Sequence, residues 1–148
     1  MARDRIVIDT NVLISGLLST TSTPARALER AVTIGRLVAT KETLRELIDK
    51  LSSSKFDRYV TRAQRDELLN LLAPVMDIIE VLQPIHAARD PKDNKFLEAA
   101  VNGRASVIVT GDRDLLELHP FRGVEIVTAA QYLKRPPAES DQRKDDQD

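Results

Sequence analysis

Short apolar, β-branched runs alternate with helical segments along the chain, and this alternation limits the folds that the chain can adopt. Strands that are separated by helices form parallel sheets, because each crossover returns the chain to the same end of the sheet. We therefore predict a three-layer α/β/α domain over residues 1–135, with a central, mainly parallel five-stranded sheet. The runs that are typical of buried strands are 6–8, 37–39, 78–82, 107–109 and 124–127.

Two carboxylates directly follow strands of this predicted sheet. Asp9 follows the first strand, and Asp112 closes the run Thr110-Gly111-Asp112 after the fourth. Ligands of such sheets bind beyond the carboxyl ends of the strands, where the strand order reverses. If the first and fourth strands are neighbours there, both carboxylates face one crevice. Because like charges repel, we expect a divalent cation to hold them together.

Each acidic candidate also has a purely structural explanation. Asp9 or Asn11 can cap the helix that follows the first strand, and Asn11 can instead hydrogen-bond the Asp9 carboxylate. Asp112 suits a helix N-terminus, where the helix dipole favours acids. Asp93 stands where an apolar helical pattern begins, so the local sequence favours an N-cap. Glu46 lies nearly opposite the apolar face of its predicted helix, which favours a solvent-exposed position.

Residues that flank these acids can support the same chemistry. Thr110 offers a hydroxyl, and Asp114 adds a carboxylate two residues after the last strand-end acid. Lys92, Lys95 and Arg113 flank the expected site and can meet phosphates, although cations of this kind are more often plain surface residues.

Composition excludes several other chemistries. The chain has 148 residues with no Cys and two His, which excludes disulfides and a Cys nucleophile and argues against a His-rich zinc site. The net charge is −1, but residues 138–148 hold five acidic and two basic residues, so the remainder carries +2. A cationic body around an anionic pocket suits a phosphate-bearing substrate. A mixed, solvated surface is the simpler explanation of the charge alone.

The sequence also carries expectations about location and domain limits. No apolar run approaches the roughly 20 residues that span a bilayer, and the chain enters its first strand directly. We therefore expect no membrane segment, no signal peptide and a cytoplasmic location. Residues 136–148 form a polar, charged tail that we expect to be disordered.

Four stretches of the chain, taken in order, resemble the PIN-domain (PilT N-terminal) family: residues 6–13, 44–47, 90–100 and 107–116. They span most of the predicted domain. The first and last are specific in combination, and the middle two add weight through their positions. The resemblance implies a PIN-like fold and a metal-dependent ribonuclease that hydrolyses RNA phosphodiester bonds.

The resemblance also implies partners and residue roles. Within the family, the chain is most similar to prokaryotic toxins of toxin–antitoxin pairs, which are commonly homo-oligomers held inactive by a small antitoxin protein. The implied catalytic and Mg²⁺- or Mn²⁺-binding acids are Asp9, Glu46, Asp93 and Asp112, with Asp114 as a further ligand and Asn11 and Thr110 in support.

Three other functions fit parts of the sequence. A metal-dependent phosphatase of the haloacid-dehalogenase type also begins with an apolar strand that ends in Asp, but it needs a second Asp where this chain has Asn11. A non-catalytic RNA-binding or interaction module on the same fold would be natural if an acid were missing, whereas all four are present. An RNA-processing nuclease would share the site of a toxin, so the sequence does not separate these two.

Overall fold

The central sheet has five strands in the described part of the chain, and every neighbouring pair is parallel. The computed structural model describes residues 4–136, so the expected tail lies outside the described residues except for Pro136. The strands are β1 Asp4–Ile8, β2 Gly35–Ala39, β3 Met76–Ile78, β4 Val107–Val109 and β5 Glu125–Val127. Their order is β3-β2-β1-β4-β5. The predicted α/β class and parallel sheet are confirmed.

The strand order reverses between β1 and β4. The chain moves outward from β1 through β2 to β3, and then returns to the other side of β1 to build β4 and β5. Ile8 is in register with Val109. The residues that follow these two strands, Asp9 and Thr110, therefore emerge side by side at the carboxyl edge of the sheet.

Seven α-helices accompany the sheet within residues 4–136, and side chains cap the starts of all of them except the fifth. Thr40, Thr61 and Thr128 each form a capping box with the third residue of the helix that follows. None of the described helices is both long enough and apolar enough to cross a bilayer. The helices are α1 Thr10–Leu17, α2 Thr23–Ile34, α3 Lys41–Leu51, α4 Arg62–Leu72, α5 Asn94–Asn102, α6 Arg113–Leu116 and α7 Ala129–Lys134.

Alternate residues of the inner strands bury opposite faces of the sheet, which creates the two helical layers. Ile6 and Ile8 belong to a core that α1, α2, α3, α4 and α7 cover. Val7 and Ile108 belong to a second core that α5 and α6 cover. Each of these fully buried side chains stabilises the fold by about 1.5–3 kcal/mol.

The third strand lies earlier in the chain than the predicted run 78–82. The structure places β3 at Met76–Ile78, with Asp77 at its centre. The Asp77 carboxylate contacts Arg5 at 2.9 Å and Arg36 at 2.6 Å, and these arginines extend from β1 and β2. The predicted bounds of the third strand were wrong. An apolar run does not identify this edge strand, because its central residue is an acid that cross-strand ion pairs hold in place.

Candidate active site

Asp9 is fixed at the end of β1 by hydrogen bonds to both carboxylate oxygens. It caps α1, because its Oδ1 accepts a hydrogen bond from the Val12 N–H at 2.9 Å. Its Oδ2 accepts a hydrogen bond from the Thr110 hydroxyl. Asp9 is only 6% exposed. Burial raises its pKa; these hydrogen bonds oppose the shift, and the charge of Asp112 adds to it. The capping role expected for Asp9 therefore coexists with a place in the site.

Thr110 links the two strand-end aspartates. It is fully buried. Its hydroxyl donates to Asp9 and accepts a hydrogen bond from the Asp112 backbone N–H at 3.0 Å. Asp112 in turn caps α6, since its Oδ1 accepts from the Asp114 N–H at 2.9 Å. One hydroxyl thus binds the carboxylate of Asp9 and the backbone of Asp112, which gives the supporting role expected of Thr110 a geometric basis.

Asp93 occupies the position before α5, but its side chain accepts no capping hydrogen bond from the described residues. The preceding turn is capped instead by Asp90, whose Oδ1 accepts from the Lys92 N–H at 3.0 Å. The N-cap that the local sequence favours for Asp93 is therefore wrong. Asp93 is 8% exposed, and its Oδ2 is buried without a hydrogen-bond partner within residues 4–136. Such an orphaned oxygen is costly unless a ligand satisfies it.

Asp93, Asp112 and Asp114 form a compact cluster, which we call the acidic triad. One carboxylate oxygen from each lies within 4.8 Å of the others. Burial raises the pKa of Asp93 to about 7, helped by a hydrogen bond from the protonated form to Asp112 and by the charges of Asp112 and Asp90, and opposed by the charge of Lys95. Carboxylates at this separation repel each other, and a hard cation relieves the repulsion. The all-oxygen donor set fits Mg²⁺ or Mn²⁺.

Glu46 faces the same cleft and not the solvent, so the solvent-exposed position favoured by its helical wheel is wrong. Its side chain is 23% exposed, and its oxygens lie 2.7 Å from Lys95 Nζ and 3.6 Å from Lys50 Nζ. Burial raises the pKa of Glu46, but hydrogen bonds from Lys95 and Thr10 and the charges of both lysines lower it more. Glu46 is therefore an ionised carboxylate that already has cations of its own.

The cations that were expected to meet phosphates differ in their positions. Lys92 and Arg113 are exposed, and Lys92 lies on the wall of the cleft. Lys95 is buried, and its ammonium is engaged by Glu46 and by the Lys92 carbonyl. The plain surface position considered for Lys95 is wrong, and its buried ammonium is poorly placed for the expected contact with substrate.

Asn11 has a different partner from the one expected. The Asp9 carboxylate takes its hydrogen bonds from Val12 and Thr110, whereas the side-chain oxygen of the exposed Asn11 accepts from Lys50 Nζ at 3.2 Å. The support expected of Asn11 therefore reaches the Glu46 side of the cleft through Lys50.

A polar stripe on α5, which the sequence reasoning missed, holds the loop that leads to the site. Asn94, Glu98 and Asn102 accept hydrogen bonds from backbone N–H groups of residues 82–88 at 2.8, 3.0 and 2.8 Å. The spacing of four residues on a helix is the signal that could have revealed it. The stripe anchors the loop that precedes Asp93.

Many of the side chains of the site line one cleft of about 510 Å³. It lies at the carboxyl edge of the sheet, beside the reversal between β1 and β4. Four of the five acids that the sequence singled out line it, namely Asp9, Glu46, Asp93 and Asp112, whereas Asp114 does not.

The comparisons with known proteins agree with this geometry. The PIN-domain family model matches residues 5–114, which include Asp9, Glu46, Asp93, Asp112 and Asp114. An uncharacterized protein of Methanocaldococcus jannaschii is 31% identical over 119 residues, which cover 77% of this chain and 74% of that protein. The fold is similar to that of VapBC2 from Rickettsia felis bound to a DNA fragment from their promoter. That match has a TM-score of 0.56 and 14% identity, and it covers 82% of this chain and 96% of the other. The chain belongs to the PIN-domain family.

Proposed function

We propose that this protein is an endoribonuclease that hydrolyses RNA phosphodiester bonds with the help of Mg²⁺ or Mn²⁺. The observation that carries the proposal is the buried, orphaned Oδ2 of Asp93 within the acidic triad. When Asp93 is ionised, this atom has a physical reason to take a cation, because no group of the described protein donates a hydrogen bond to it. Membership of the PIN-domain family supports the same chemistry.

The side chains of the cleft have separate tasks in this proposal. The acidic triad would hold the ion, and Asp9 adds a carboxylate at the end of the adjacent strand. A bound Mg²⁺ or Mn²⁺ supplies Lewis acidity toward the phosphate and lowers the pKa of water. Thr110 keeps Asp9 and Asp112 in place before substrate arrives, so little reorganisation is needed during the reaction.

The surroundings of the triad favour a phosphodiester chain as substrate. Lys92 and Lys50 place positive charge on the walls of the cleft, where they can contact backbone phosphates. The chain has three Phe, two Tyr and no Trp. Contacts to the phosphate backbone are therefore expected to outweigh base stacking.

A pair of variants tests the nuclease directly. Asp112→Asn keeps the shape of the side chain but removes a charge from the triad, and Asp66→Asn makes the same change at an exposed position on α4. With Mn²⁺ or Mg²⁺, we expect wild type and Asp66→Asn to cleave RNA equally. Cleavage by Asp112→Asn should fall by about two orders of magnitude or more. Cleavage that survives EDTA, or that is equal in all three proteins, would contradict the proposal.

We further propose that the nuclease is the toxin of a toxin–antitoxin pair, acts in the cytoplasm as a homo-oligomer, and is held inactive by a small antitoxin protein. The similarity of its fold to VapBC2, a structure bound to promoter DNA, supports this proposal.

Expression in a bacterial host tests the toxin role. Wild type should arrest growth, Asp112→Asn should not, and co-expression of a small protein encoded next to this gene should restore growth. Harmless expression of a protein that cleaves RNA in vitro would favour the RNA-processing alternative.

A further inference from the structure

A buried lysine stands inside the acidic cleft. Lys95 lies in the first turn of α5, two residues after Asp93, and is 7% exposed. Its Nζ lies 2.7 Å from Glu46 Oε2 and donates to the Lys92 carbonyl. The same atom is 5.4 Å from the centre of the Phe96 ring, within the range of a cation–π contact. These contacts hold the ammonium as a fixed part of the site.

The Lys95 ammonium lies where Glu46 would otherwise offer an oxygen to a metal ion. The second oxygen of Glu46 faces Lys50 Nζ at 3.6 Å. A divalent ion on Glu46 would approach within about 2.0–2.6 Å of a carboxylate oxygen, and it would meet a like charge held against the same group. The triad differs, because its compact set of oxygens comes from Asp93, Asp112 and Asp114.

Lys95 also connects two elements whose relative position determines the shape of the site. Glu46 extends from α3, whereas the Lys92 carbonyl belongs to the turn that carries Asp93. Because one ammonium contacts both groups, it fixes the distance between α3 and this turn. Removal of Glu46 would leave the buried Lys95 ammonium without its carboxylate, and removal of Lys95 would leave Glu46 with Lys50 alone.

We propose that Lys95 is a positioning residue that takes the place of a second metal ion, so that the centre binds a single divalent ion at the acidic triad. This inference rests on the proposed function, because it concerns the metal centre of the nuclease. In this arrangement the Glu46 carboxylate pairs with Lys95 and does not bind the metal ion.

Counting bound Mn²⁺ tests the inference. Isothermal titration calorimetry on the full chain, with free Mn²⁺ followed by electron paramagnetic resonance, should give one ion for wild type. Lys95→Met keeps most of the length of the side chain but frees Glu46 from the ammonium, and we expect it to gain a second ion. Lys95→Gln, which retains a hydrogen-bond donor without the charge, should gain the same site. The matched control Lys92→Met removes an exposed charge from the same turn and should keep one ion.

A double variant tests whether the second ion binds to Glu46 or results from a general change in charge. Lys95→Met combined with Glu46→Gln removes both members of the buried pair and leaves no unpaired charge, so it is expected to fold and to return to one ion. Circular dichroism verifies the fold of each variant. A second ion retained by the double variant would overturn the assignment to Glu46.

The remaining outcomes distinguish this inference from the proposed function. If wild type binds two Mn²⁺ and still cleaves RNA in a metal-dependent manner, the role of Lys95 is overturned but the proposed function is not. One ion bound by the folded single variants at Lys95 would also overturn the role of Lys95. Absence of Mn²⁺ binding by wild type would overturn the metal centre of the proposed function and this inference together.

Discussion

Replacement of Asp93 by Asn is expected to stabilise the metal-free protein at neutral and alkaline pH, although it removes a proposed metal ligand. Asp93 is buried, and its Oδ2 has no partner in the described chain. Burial and the neighbouring Asp112 raise its pKa from 3.8 to about 7. The folded protein therefore holds a proton on Asp93 that the unfolded chain releases above about pH 4. Asn has the shape of the protonated acid and cannot ionise.

The size of the effect follows from the two pKa values. A pKa raised from 3.8 to about 7 corresponds to roughly 4 kcal/mol. Between these values the folded state binds more protons than the unfolded state, so the Asp93 contribution lowers the unfolding free energy as pH rises. The loss is complete above about pH 7. Because the cleft is open to water, we expect Asp93→Asn to gain roughly 2–4 kcal/mol at about pH 8.

Urea unfolding in EDTA measures this gain. We expect Asp93→Asn to exceed wild type in stability at about pH 8 and the difference to shrink toward about pH 4, whereas Asp66→Asn should follow wild type throughout. Mn²⁺ at about 100 times its Kd should stabilise wild type by about 2.7 kcal/mol and leave Asp93→Asn largely unaffected. A lower stability of Asp93→Asn than of wild type at about pH 8 in EDTA, or a difference that does not change with pH, would show that the folded protein does not hold a proton on Asp93.

Three further predictions concern the scaffold that carries the site. Thr110→Val should lower the unfolding free energy by about 1–3 kcal/mol, because both strand-end aspartates lose a partner; equal urea midpoints would contradict this. Gly35→Ala should cost at least about 2 kcal/mol, because the new Cβ would lie 2.4 Å from the Asp4 carbonyl oxygen. Gly111→Ala is its control, since no described atom lies within 4 Å of the added Cβ, and similar losses of Tm in both would count against the packing argument. Arg135→Met should cost about 3 kcal/mol, because it removes the arginine 2.9 Å from the buried Asp4 carboxylate; an unchanged Tm would show that the pair contributes little.

The strand-end aspartates could be predicted because a strand has a simple geometry. A buried apolar run identifies the last strand residue, and a parallel sheet sends the residue after it to one edge. Asp9 and Thr110 follow β1 and β4 by this rule, and the pairing of Ile8 with Val109 places them side by side. The adjacency of these strands came from fold rules, and the structure confirms it.

The roles of Glu46 and Lys95 could not be predicted in the same way. A helical wheel compares a residue with the apolar face of its own helix, and it gives no information about which other element approaches the polar face. In the structure α5 approaches α3 on that face and carries Lys95 to Glu46. The wheel therefore predicted solvent where the fold supplies a buried cation.

The same contact between α3 and α5 makes the acidic site asymmetric, which its composition does not reveal. In sequence the site is a set of similar carboxylates, but the fold moves their pKa values in opposite directions. Burial dominates for Asp9 and Asp93, whose pKa values rise, whereas the lysines lower that of Glu46. The triad has Arg89 near Asp114 at 4.0 Å, but that arginine is mostly exposed and screened by water. Without a metal ion the triad lowers its charge by keeping a proton on Asp93, whereas Glu46 is neutralised by lysines of the protein itself. This difference, and not the number of acids, is the physical reason to expect the metal at one end of the cleft.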